Sequence, residues 1–285
     1  FKPVLKDGKL YGRGTADDKG PAVAALYAMR AVKELGIPLK KNVRLILGTD
    51  EECGSSDIRH YYSIEKEAPM TFSPDAEYPL VNTEKGRFPG HFTAGFEASD
   101  ALPRLVSIKA GTKVNVVPGK AKAAVEGFEM AALEKAAAET KEETGISFEF
   151  AAEGTVTEIT ATGIGAHAST PDVGNNALTG LLVFLGKLDF ASCPQVDMVR
   201  KTASLFPHGD VNGKTLGVAM EDELSGNLTL SFNMLSVDAA SMDGEFDGRI
   251  PVCGNDENVL EVVRARMAEQ GLTLLNKALI PPHHV

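Results

Sequence analysis

Val43-Arg-Leu-Ile-Leu-Gly48, running directly into Thr49-Asp-Glu-Glu-Cys-Gly54, is the stretch on which the fold turns. A short apolar run closed by glycine fits a buried parallel strand. Three consecutive acids at its carboxyl end stand where open α/β sheets bind ligands. They repel one another, so a cation is expected to compensate them. Toward the amino end, residues 21–35 read as a helix. Pro21 suits the first helical position, and Ala22, Ala25, Leu26, Met29 and Val32 form one apolar face. Gly36 and Pro38 end it. Helix alternating with buried strand predicts an α/β sheet covered on both faces. Earlier still, Asp7-Gly8 between two short apolar segments predicts a hairpin.

Composition changes across residues 83–95, and the chain is expected to divide into 1–88 and 89–285. Beyond the change, strands are expected at 105–109, 121–126, 147–151, 156–161 and 227–237, several with period-two alternation. Helices are expected at 130–144, stopped by Gly145, at 176–188, and at 257–270, closed by Gly271. Antiparallel-type strands with a few helices predict an α+β domain.

The 285 residues are 43% apolar and 24% charged, the composition of a soluble globular protein. A net charge of −10 argues against a nucleic-acid partner. No apolar run approaches the roughly 20 residues that span a bilayer, so no membrane association is expected. Three cysteines without a CxxC spacing make neither a disulfide framework nor a zinc ribbon, and a cytoplasmic location is expected. The chain opens at Phe1 and closes on Pro281-Pro-His-His-Val285; it is expected to be a piece of a longer polypeptide.

The chemistry is written in acidic motifs. Gly12-Arg-Gly-Thr-Ala-Asp17-Asp18-Lys-Gly-Pro21 puts two adjacent carboxylates in a glycine-rich turn before a helix. Thr49-Asp-Glu51-Glu52 follows the apolar run, and Phe72-Ser-Pro-Asp75-Ala-Glu-Tyr-Pro79 makes a third acidic loop. Hard oxygen ligands plus a general base are the components of metal-assisted hydrolysis. In order and spacing the three motifs resemble the di-zinc metallopeptidase family of carnosinase, aminoacylase, glutamate carboxypeptidase and succinyl-diaminopimelate desuccinylase. The Ser-Pro-Asp-Ala-Glu form is most similar to the PepV-type (Xaa-His) dipeptidase branch.

The resemblance implies a partial zinc-peptidase-like α/β catalytic domain over 1–88 and an α+β, ferredoxin-like lid over 89–285. It implies two Zn2+ ions (or Mn2+ or Co2+) in the full-length protein, with Asp17 bridging them and a cis peptide bond after it. It implies Glu52 on one metal, Asp75 on the other, and Glu51 as the base that activates a shared water. In the lid it implies Asn115 touching substrate, His167 stabilising the oxyanion, and Arg249 gripping a substrate carboxylate. The partner implied is a small peptide, and the enzyme is implied to be a monomer or a lid-mediated homodimer. An N-acyl amino-acid deacylase or desuccinylase would use the same parts. The family's two metal-binding histidines, one in a His-x-Asp motif and one near the far carboxyl end, have no counterpart here; His283 and His284 read as linker residues. This piece alone is therefore expected to bind metal poorly and to be catalytically incompetent. His60, His91 and His208 read as structural, and Gly209-Asp-Val-Asn-Gly-Lys-Thr215 as a turn rather than a phosphate loop.

Overall fold

The computed structural model describes residues 2–75 and 79–285, with Glu52 described in its backbone alone. The chain divides into two compact units, residues 1–81 and 82–285. The division falls ahead of residue 88 because the segment after Asn82 already pairs within the second unit.

The first unit opens with β1 (Val4–Lys6) and β2 (Lys9–Tyr11), antiparallel around Asp7-Gly8. Both turn residues have positive φ, 51° and 72°, as a two-residue hairpin turn requires. Helix α1 (Lys19–Glu34) follows. Its Pro21, Ala22, Ala25, Met29 and Val32 are half-buried along one face, while Leu26 is exposed. A short 3-10 turn, Glu51–Cys53, leads through Gly54 to α2 (Ser56–Ile64). Residues 43–48 do not form the expected buried strand. Val43 and Leu47 are 56% and 68% exposed. A strand needs ladder partners to satisfy its backbone, and among the described residues nothing pairs with this run.

The second unit contains β3 (Thr83–Glu84), β4 (Gly86–Gly95), β5 (Arg104–Ala110), β6 (Val116–Val117) and β7 (Lys120–Glu126). Next come α3 (Met130–Thr144), β8 (Ser147–Glu153), β9 (Val156–Thr162) and β10 (Ala166–His167). Helices α4 (Ala177–Gly186) and α5 (Pro194–Leu205) precede β11 (Glu221–Asp222), β12 (Gly226–Asn227), β13 (Thr229–Val237) and β14 (Ser241–Ile250). Last come α6 (Glu261–Glu269), β15 (Thr273–Leu274) and β16 (His283–His284). A wide turn, Asp256–Leu260, leads into α6 and is capped by the Asn255 side chain. Eight strands form one antiparallel sheet in the order β15-β4-β14-β13-β5-β7-β9-β8. Helix α4 packs on β7, β9 and β13 and contacts α3 and α5. Helix and sheet are thus mixed in each unit.

Strands β4 and β14 carry glycines that mask them in the sequence. In register, Gly90 faces Phe246 and Gly244 faces Phe92. A Cβ on either glycine would overlap the opposing ring. The missing side chains make room for the aromatic core, in which Phe88 packs edge-on to Phe246 at 5.0 Å and Phe206 stacks on Phe232 at 4.4 Å.

Candidate active site

In the first unit, the Gly12–Gly20 turn delivers Asp17 and Asp18 to the start of α1. The turn is closed by Lys19 N–H donating to Gly14 O at 2.8 Å and by Lys19 Nζ donating to Arg13 O at 2.9 Å. The peptide bond between Asp17 and Asp18 is cis. Asp17 is exposed. One oxygen of Asp18, Oδ1, is buried with no hydrogen-bond partner among the described residues. Desolvation, followed by the charges of Asp75 and Asp17, raises the Asp18 carboxyl above its ordinary range. The first and third acidic motifs therefore act on one another.

The second motif is organised by its own side chains. Asp50 Oδ2 accepts from Ser56 N at 2.9 Å and from the Ser56 hydroxyl. Asp57 Oδ2 accepts from Thr49 N at 2.6 Å, and that amide holds the Asp57 carboxyl below its usual range. Glu51 sits exposed on the 3-10 turn. The side chain of Glu52, an expected metal ligand, lies outside the described residues, as do residues 76–78 of the third motif. Among the described residues no three His, Cys, Asp or Glu side chains are arranged to hold a metal ion. The carboxylates of Asp17 and Asp75 nonetheless suit one. They are oxygen donors, and a dication would relieve the crowding that Asp18 registers.

In the second unit, Asn115 and His167 come together on a two-stranded ribbon. Strand β10 pairs with β6 so that His167 faces Val116, and Ala168 N–H donates to Asn115 O at 2.9 Å. Asn115 is half-buried and His167 exposed, so His167 is not a core histidine. Ser169 N–H donates to His167 Nδ1 at 3.2 Å, and the Ser169 hydroxyl lies 2.7 Å from the same nitrogen. An Nδ1 that accepts from a backbone amide leaves the neutral ring's proton on Nε2, ready to donate.

Arg249 is held on β14 by Asp247, two residues earlier on the same face. Its Nε donates to Asp247 Oδ1 at 2.6 Å and its Nη2 to Oδ2 at 3.3 Å. Asp247 is only 1% exposed. Arg87 stands opposite Arg249 on β4, a like-charge pairing that the Asp247 carboxylate offsets. The guanidinium keeps donors beyond the two used, in a fixed fork. Period-two spacing on a strand puts Asp247 on Arg249's face, and that spacing is the one sequence signal of their pairing.

The remaining histidines have structural partners or no motif. His91 Nε2 lies 2.8 Å from Asp243 Oδ2, and His208 Nδ1 lies 2.9 Å from Thr179 Oγ1. His283 and His284 form β16 against β3, with His284 Nδ1 2.7 Å from Thr83 Oγ1. The 209–215 segment is a turn gathered by Asp210, which accepts from the amides of Asn212, Lys214 and Thr215. All three cysteines are free. Among the described residues, no helix is long and apolar enough to cross a membrane.

A model of peptidase family M20/M25/M40 matches residues 1–281. A putative dipeptidase YtjP from Bacillus subtilis (strain 168) is 36% identical over 82% of this chain and 51% of its own length. A Beta-Ala-Xaa dipeptidase from Lactobacillus delbrueckii subsp. lactis is 35% identical over 83% of this chain and 50% of its own. The chain thus spans about half the length of these curated relatives. A solved aminoacylhistidine dipeptidase from Vibrio alginolyticus aligns over 70% of this chain and 46% of its own, with 9% identity and a TM-score of 0.32, too low to carry an inference.

Proposed function

We propose, for a chain that belongs to peptidase family M20/M25/M40, that it contributes to a metal-dependent dipeptidase that hydrolyses small peptides. The observation that carries this reading is the 36% and 35% identity, over more than four-fifths of the chain, to two relatives named as dipeptidases. The lid role and ferredoxin-like architecture of 89–285, a cytoplasmic setting, and a monomeric or homodimeric state belong to the same proposal.

Asp17, Glu52 and Asp75 are the carboxylates proposed to hold two zinc ions (or manganese or cobalt). When bound, the ions would supply Lewis-acid polarisation of the scissile carbonyl and lower the pKa of a water. Glu51, exposed at the start of its turn, would take a proton from the attacking water as its oxygen bonds to the carbonyl carbon, and would pass that proton to the leaving amine as the C–N bond breaks. His167, with Nδ1 occupied by Ser169, donates from Nε2–H to the negative oxygen that develops on the carbonyl. Asn115 contacts the substrate. Arg249, aligned by Asp247, uses its remaining donors on the substrate carboxylate.

The test is hydrolysis of a panel of free-amine dipeptides and their N-acyl analogues by the intact natural enzyme, with and without chelator. Chelation is expected to abolish turnover and added zinc to restore it. Undiminished activity after chelation would remove the metal from the mechanism. Faster turnover of the acyl analogues would move the assignment to a deacylase.

A further inference from the structure

The loop that carries Asn115 is tied down from beneath by a residue with no assigned role. Strand β13 breaks register between Phe232 and Met234, and the bulged residue is Asn233, which is 0% exposed. Its Nδ2 donates to Val114 O at 2.6 Å and to Ser231 Oγ at 2.9 Å. Its Oδ1 is buried with no hydrogen-bond partner among the described residues. A buried amide with an unmatched acceptor is a poor choice for a position whose only task is packing; an apolar side chain would fill it at less cost. What Asn233 supplies is a donor aimed at the backbone immediately before Asn115.

The surroundings make the same point. Gly111 starts the loop with φ +79°, and a Cβ there would overlap the Asn233 carbonyl oxygen, so the loop crosses the bulge in direct contact. Asn176 Nδ2 donates to Phe232 O at 2.7 Å, fixing the bulge from the other side. Pro118 O accepts from Ala177 N at 2.9 Å where the loop leaves. Between these anchors, Asn115 O receives Ala168 N–H, and β6 pairs with the strand bearing His167.

We propose that Asn233 is a positioning residue, which sets the Val114 carbonyl and through it the placement of Asn115 and His167. The proposal rests on the reading of those two residues given above. It is tested in the intact natural enzyme with Asn233→Asp, which replaces the donor by an acceptor, and Asn233→Ala. Asn212→Ala is the control, since Asn212 makes an equivalent amide bond to Leu228 O at 2.8 Å away from this loop. The Asn233 variants are expected to lower kcat on a dipeptide about tenfold or more through His167, to raise KM through Asn115, and to leave metal content nearly unchanged. Hydrogen exchange at Val116 and Ala168 is expected to accelerate. Asn212→Ala is expected to leave kcat and those amides as they were. If the Asn233 variants do not fold, Gly111→Ala displaces the loop from its other side and is expected to give the same kcat loss. Unchanged kcat and unchanged exchange in the Asn233 or Gly111 variants would overturn the proposal. If the parent enzyme cleaves no dipeptide, the hydrolase reading fails by itself, and the exchange measurement still decides whether Asn233 latches the loop.

Discussion

Residues 1–81 and 82–285 both carry apolar side chains in regular patterns, yet they bury them differently. In the second unit Phe88, Phe92 and Phe246 are fully buried within one continuous cluster. In the first, no described side chain is buried, and Leu5, Phe72 and Leu80 are 76%, 84% and 79% exposed. Apolar periodicity states which face of an element will seek cover. It does not supply the cover, which must come from other elements packed at van der Waals distance. The acidic motifs lie in the unit where no described side chain is buried, while the Asn115–His167 ribbon and Arg249 stand on the unit that has a core.

That contrast can be broken most directly by hydrogen exchange on the chain. Amides of β4, β13 and β14 should exchange at least about 10³-fold more slowly than those of α1, the ratio that roughly 4 kcal/mol of local stability represents. Comparable protection in α1 would show that the first unit has a core of its own. Paired truncations sharpen the comparison. Phe246→Ala should destabilise the second unit by about 3–5 kcal/mol, whereas Leu26→Ala, on the exposed side of α1, should change stability by less than about 0.5 kcal/mol. Urea unfolding of both variants measures the pair, and equal losses would contradict the burial difference.

The smallest expected effect is a pH dependence confined to the second unit. Burial pushes the His208 imidazole below its ordinary value, against smaller opposing influences from the Thr144 carbonyl and the charge of Glu143. Between that lowered value and about 6.5 the unfolded chain binds more protons than the folded one. The stabilisation is therefore complete above about 6.5 and is lost as pH falls through the folded value. The urea midpoint of the second unit should decline over that window, and His208→Gln should flatten the decline. A slope unchanged by the substitution would assign it elsewhere.

Much of the local structure was legible. Asp7-Gly8 specified its hairpin, and Pro21 and Gly36 bracketed α1 closely. Gly145, with φ +75°, ended α3 where the pattern stopped. The long strands β4 and β14 were not legible, because Gly90 and Gly244 lower strand propensity and their use appears only when Phe246 and Phe92 come to lie across them. The run at 43–48 read as a buried strand, yet it finds no ladder partner among the described residues. In the candidate site, Asp17, Glu51, Glu52, Asp75, Asn115, His167 and Arg249 could be named from motif resemblance. Asn233 could not, because its contact with Val114 joins residues 119 apart in the chain.

The amino-acid sequence by itself determined the hairpin, most of the helices, the order of the acidic motifs and the family. These depend on neighbours a few residues away or on short patterns that survive without a fold. Tertiary structure alone decided which strands are central, that Asp247 grips Arg249, that Asn233 holds the Asn115 loop, and that one unit has a core while no described side chain of the other is buried. The physical reason is that burial and long-range hydrogen bonds belong to pairs of distant residues, and either member of such a pair looks ordinary on its own.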